Sequence, residues 1–160
     1  IYTQKLKLGI SVVMKANFLL LGCVIALSGC DQIGQKALNA IPDPSTEQTE
    51  VAQAAYDQLR EGNFEKLYTY FEPELKAKFE QNEKELRKFA RGIPKQDYSR
   101  KNIVAKHIEK STEKPSLYTV TYEYGYTNKN LVQYDVSFDK PEGSNKIRDF
   151  NISVFGEKNK

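Results

Sequence analysis

The sequence has no tryptophan, one histidine and one methionine, and both of its cysteines fall within the first 30 residues. With no thiol beyond Cys30, the body of the chain cannot carry a disulfide framework. One histidine and no thiol partner leave no set with metal-ligand spacing, so no metal and no other cofactor is expected. That histidine, His107, has no serine, cysteine or acid at a spacing that would complete a nucleophilic dyad. The nine glycines are scattered and form no phosphate-cradling loop. Long apolar runs are missing too. The longest, Phe18–Leu27, has ten residues, against about 20 needed to span a bilayer. Extending it back to Leu8 would bury Lys15 and Asn17. Nor is there a surplus of one charge behind the front segment. Lys5, Lys7 and Lys15 are the basic residues of positions 1–29, which hold no acid, so the remainder balances 21 Lys and Arg against 21 Asp and Glu. A neutral body lacks the clustered cations that bind phosphate backbones, and nucleic acid is not an expected partner.

What is present at the front has an order. The chain opens on Ile1, and its methionine is Met14, so residues 1–13 are expected to be an extension upstream of the true start. From Met14 the sequence reads "MKANFLLLGCVIALSGC". One positive residue precedes a short apolar core, and small residues follow it. That is the plan of a secretory signal over residues 14–29, with the positive end held cytoplasmic. Cys23 fits as an apolar filler within the core. The four residues Leu27-Ser28-Gly29-Cys30 resemble the bacterial lipobox. The resemblance implies recognition of Leu27, Ser28 and Gly29 by the signal peptidase, cleavage before Cys30, and acylation of Cys30. Two or three acyl chains make a durable anchor, at about 0.8 kcal/mol per buried methylene. Asp31, next in line, resembles the residue that retains enterobacterial lipoproteins in the inner membrane. The expected location is therefore the bacterial cell envelope, with the domain in the periplasm.

Residues 30–45 form the lipidated terminus and a tether, since Gly34, Pro42, Pro44 and Ser45 suit no packed element. Residues 46–156 read as one α+β domain, and 157–160 as a polar tail. Three N-terminal helices are expected. The first runs from Thr46 to Glu61, capped by Ser45 or Thr46 and stopped by Gly62, with Val51, Ala55 and Leu59 on one face. Asn63 caps the second, which turns Phe64, Leu67, Tyr68 and Phe71 one way. Pro73 opens the third, which carries Leu75, Phe79, Leu86, Phe89 and Ala90 inward and pairs Glu74–Lys78, Glu80–Lys84 and Glu83–Arg87 outward. From Tyr98 the period changes to two. Four strands are expected near 101–110, 116–126, 131–139 and 146–155, joined by short turns that force antiparallel hairpins into a curved four-stranded sheet with the helices on one face.

The stretch "EGNFEKLYTYFEPELKAKF" within this pattern resembles the opening of the nuclear transport factor two-like domains, in which helices pack into a cone against a curved antiparallel sheet. The resemblance covers roughly residues 46–155. Those domains often insert short strands between the second and third helices, where Phe71-Glu72-Pro73-Glu74 leaves no room. Family members include enzymes, ligand binders and dimerisation modules, so the fold implies no single function. The tyrosine stripe "YTVTYEYGY" is the most unusual feature. Tyr118, Tyr122, Tyr124 and Tyr126, with Tyr134 and Phe138, either line a ligand cavity or pack as core. Asp135 and Asp149 alternate with the apolar residues of their strands and point away from that face, which removes them as proton-transfer acids. The leading reading is a non-catalytic domain that binds an envelope protein or a small apolar ligand. The alternatives are an isomerase or dehydratase using the cone, and a homodimerisation module using the outer sheet face.

Overall fold

The computed structural model describes residues 36, 38–127 and 129–156. The signal segment, Cys23, Leu27, Ser28, Gly29, Cys30, Asp31 and the tail 157–160 lie outside the described residues. Between Thr46 and Gly92 the chain forms four helices: α1 Thr46–Glu61, α2 Phe64–Tyr68, α3 Pro73–Gln81 and α4 Glu83–Gly92. Four strands follow, β1 Tyr98–Glu109, β2 Leu117–Tyr126, β3 Leu131–Phe138 and β4 Asp149–Phe155. They make one open antiparallel sheet in the order β1-β2-β3-β4. Among the described residues no helix is long and apolar enough to cross a membrane.

The α1 boundaries follow from its ends. Ser45 accepts the Gln48 backbone N–H, and the Gln48 side chain returns to the Ser45 N–H, satisfying two orphan donors at once. Gly62 takes φ 78°, the left-handed conformation that closes the helix without a Cβ clash. Three expectations need correction here. The single third helix is divided, because Asn82 leaves helical geometry at φ −134° and ψ 54°. Asparagine offers the backbone competing hydrogen bonds and is a weak helix former. Asn63 does not cap α2; its amide goes back to Gln58 Oε1 instead. The outward pairs also shift. Arg87 does meet Glu83, but Lys78 leaves Glu74 for Asp149 on β4, at 3.8 Å.

The sheet has one buried and one polar face, as period-two strands require. Tyr118, Val120, Tyr122 and Tyr124 of β2 stand beside Phe138, Val136, Tyr134 and Val132 of β3, which stand in turn beside Phe150 and Ile152 of β4. The helices cover this face. Tyr56 of α1 lies flat on Tyr124, centroids 3.9 Å apart and planes parallel, and touches Tyr134 at 5.4 Å. Phe79 of α3 and Phe89 of α4 both meet Phe150. The connection after α2 is tied to the sheet as well. Glu72 N–H donates to the Ile147 carbonyl at 2.8 Å, and Ile147 N–H to the Tyr70 carbonyl at 2.9 Å. One parallel bridge, Phe71 to Ile147, thus joins the segment between α2 and α3 to the sheet side of the domain.

Gln48 is a buried polar anchor. Its amide donates to the carbonyls of Lys140 and Ser144, fixing the start of α1 to the β3–β4 connection. Tyr56 fixes the middle of the helix. Tyr56→Ala should lower urea-measured stability by about 3–5 kcal/mol. Tyr56→Phe keeps the stack and loses the 2.7 Å hydroxyl bond to Tyr126, so it should cost about 1 kcal/mol. Equal losses for the two variants would contradict this packing.

Candidate functional site

All six aromatic residues expected to share a face do so, and none is more than 5 % exposed. The rings of Tyr122, Tyr124, Tyr126 and Tyr134 contact other rings. Tyr98 meets Tyr124 edge-on at 4.8 Å, and Tyr122 stacks with Tyr134 at 6.3 Å. Two of the hydroxyls find acceptors outside the sheet. Tyr118 donates to the Pro42 carbonyl at 2.7 Å, and Tyr124 to Gln53 Oε1 at 3.2 Å. Asp135 lies on the outer face and accepts from Thr121 at 2.7 Å, while Asp149 is half-exposed against Lys78. His107 is exposed on β1 opposite Thr119.

The chemistry that the sequence did not reveal lies on β1. Regular alternation would put Lys101, Ile103, Ala105 and His107 on one face. The pairing slips between Ile103 and Ala105, so Val104 is an extra residue. A bulge of this kind re-aims every side chain beyond it. Lys106 and Ile108 therefore join Lys101 and Ile103 in the inner row, opposite Val120, Tyr118, Tyr124 and Tyr122 respectively. Two ammonium groups end up on the aromatic face of the sheet. No local signal in the sequence announces the bulge.

The two lysines are answered differently. Lys101 Nζ donates to Gln53 Oε1 at 2.7 Å and lies over the Tyr122 and Tyr124 rings at 4.7 and 5.8 Å. Burial pushes its pKa down, and Asp57, which accepts from Gln53 Nε2 at 3.0 Å, opposes the shift. Lys106 Nζ sits 2.5 Å from the Ile41 carbonyl oxygen and 2.7 Å from Asp43 Oδ1. Ile41 also packs on the core. The end of the expected tether, Ile41–Asp43, is thus fastened across the sheet as a strap.

A second feature is a groove of about 520 Å³ where α3, the β1–β2 connection and the start of β4 converge. Leu75, Pro115 and Leu117 give it apolar surface, and Glu72, Lys78 and Arg148 give it charge of both signs. Arg148 is fixed there by Glu72 Oε1 at 3.0 Å and the Ser116 carbonyl at 3.1 Å. Such a lining suits a polypeptide with mixed side chains. Searches of protein-family models, curated proteins and solved structures find no match to this chain.

The buried phenols make a test of the site's electrostatics. Burial raises the pKa of Tyr56, Tyr68, Tyr118, Tyr122, Tyr124, Tyr126 and Tyr134 above the ordinary value. Unfolded, these groups ionise near pH 10. Folded, they stay protonated there, so their contribution is complete below about pH 10 and falls as pH rises further. In an alkaline titration their phenolate absorbance should appear together with loss of circular dichroism. Full phenolate absorbance at about pH 10 with the dichroism intact would contradict the packing.

Proposed function

We propose that this chain is a lipid-anchored protein of the bacterial cell envelope, held through Cys30, whose domain binds a protein partner in the periplasm without transforming it. The observation that carries the reading is the placement of Leu27-Ser28-Gly29-Cys30 at the end of a ten-residue apolar run, eleven residues ahead of the strap at Ile41. Asp31 favours the inner membrane over the outer. The curved, cone-like arrangement of the nuclear transport factor two-like domains belongs to the same reading, supported by helices followed by a β1-β2-β3-β4 antiparallel sheet with one covered face.

Binding rather than catalysis is supported by where the ionisable groups go. Asp135 and Asp149 are engaged on the outer face and at the groove. Tyr122, Tyr124 and Tyr134, three of the rings that would wall a cone pocket, contact one another or Tyr56. The groove around Leu117 is the surface we assign to the partner. A polypeptide partner suits its mixed charge better than a small apolar ligand does.

The anchor and the groove are tested separately. Cys30→Ala should leave the precursor uncleaved and unlipidated, and normal processing of that variant would refute the anchor. Leu117→Arg in the tagged, lipidated chain should cut cross-linked recovery of envelope proteins roughly tenfold while leaving membrane attachment unchanged. Undiminished recovery would refute the groove.

A further inference from the structure

Lys106 is a cation that the core of the domain cannot satisfy. It stands in the inner row of β1 with its side chain 3 % exposed. A buried ammonium must find a partner, because its desolvation is costly. Both of its acceptors, the Ile41 carbonyl and the Asp43 carboxylate, belong to the strap. The neighbouring Tyr118, fully buried, gives its hydroxyl to the carbonyl between them, that of Pro42. Three consecutive residues therefore supply an apolar side chain, two carbonyls and a carboxylate to one lysine, one phenol and one apolar spot. Pro42 and Pro44 have no N–H, so neither can donate a ladder hydrogen bond to the sheet. The hold is made by side chains of β1 and β2, and the Asp43 carboxylate remains 81 % exposed.

We propose that Lys106 and Tyr118 form a binding site for an extended peptide carrying an apolar residue and, two positions later, a carboxylate, and that Ile41–Asp43 is its displaceable internal occupant. The site has the parts of a peptide receptor: a desolvated cation, a phenol donor aimed at a backbone carbonyl, and an apolar seat. Emptied, it would leave the ammonium and the hydroxyl beside an apolar seat with water as their acceptor. The strap is therefore replaceable by another segment of the same chemistry. Exchange frees residues 41–44, which give the chain ahead of α1 at most about 13–14 Å of additional free reach. Only this lengthening bears on the Cys30 anchor; the site itself does not depend on it.

The probe is a fluorescent peptide of residues 39–44, added to the full-length chain and followed by anisotropy. A strap-weakened variant, Ile41→Ser with Asp43→Asn, should bind it at least tenfold tighter than the unaltered chain. The same peptide with asparagine in place of its aspartate should lose about tenfold, as one lost charge-assisted contact predicts. Adding Lys106→Met to the weakened variant should abolish binding, and Tyr118→Phe should weaken it, which preserves the test if the lysine variant does not fold. Equal binding by the weakened and unaltered chains, or by the two peptides, would overturn the proposal. Hydrogen exchange of the unaltered chain gives an independent reading. Excess peptide should speed exchange at residues 38–45, and unchanged exchange there at saturating peptide would also overturn it. Neither measurement involves the lipid, so failure of the anchor leaves the result interpretable.

Discussion

The stack of Tyr56 on Tyr124 is the contact on which the remaining architecture depends. It places α1 flat against the middle strands, and Tyr134 and Tyr98 pack on the same two rings. Aromatic pairs of this kind contribute about 0.5–1.5 kcal/mol beyond the area they bury. Their geometric effect is larger. With α1 fixed by Tyr56 in the middle and by Gln48 at its start, Gly62 determines where α2 departs, and the Tyr70–Glu72 segment can reach Ile147. The later helices then fall over β4, where Phe79 and Phe89 share Phe150.

This arrangement divides the inner face of the sheet. Over β2, β3 and β4 it is occupied by rings and aliphatic side chains. Over β1 it also carries two ammonium groups, Lys101 by regular alternation with Ile103 and Lys106 because the bulge at Val104 turns it inward. Each lysine then recruits what is near. Gln53 of α1 serves Lys101, and the segment ahead of α1 serves Lys106. The strap is thus a consequence of the bulge, and it ties the residues nearest the expected anchor to the part of the domain least able to satisfy itself.

Much of this was legible from residue types and spacing. The inner rows of β2 and β3 follow from strict alternation, and the start and stop of α1 follow from Ser45 and Gly62. The six aromatic residues grouped by pattern are grouped in space. What escaped detection has identifiable causes. Asn82 breaks a helix whose apolar spacing runs through it unbroken. The burial of Gln48 has no local signal because its partners, Lys140 and Ser144, are more than ninety positions away. The inward turn of Lys106 has no local signal because a bulge is set by pairing with another strand. The Ile41–Asp43 strap carries proline on either side of an acid, the composition of a linker, and only the buried lysine beneath makes it structure.

Joined by the tyrosine stack, α1 and the two middle strands form one cooperative unit. Native-state hydrogen exchange resolves this directly, since amides that open together report one free energy. Slow amides of Ala52–Leu59 should share their highest protection, and the same denaturant dependence, with those of Val120–Tyr124 and Val132–Val136. Exchange of the α1 amides well before those of β2 and β3, with the sheet still protected, would contradict it.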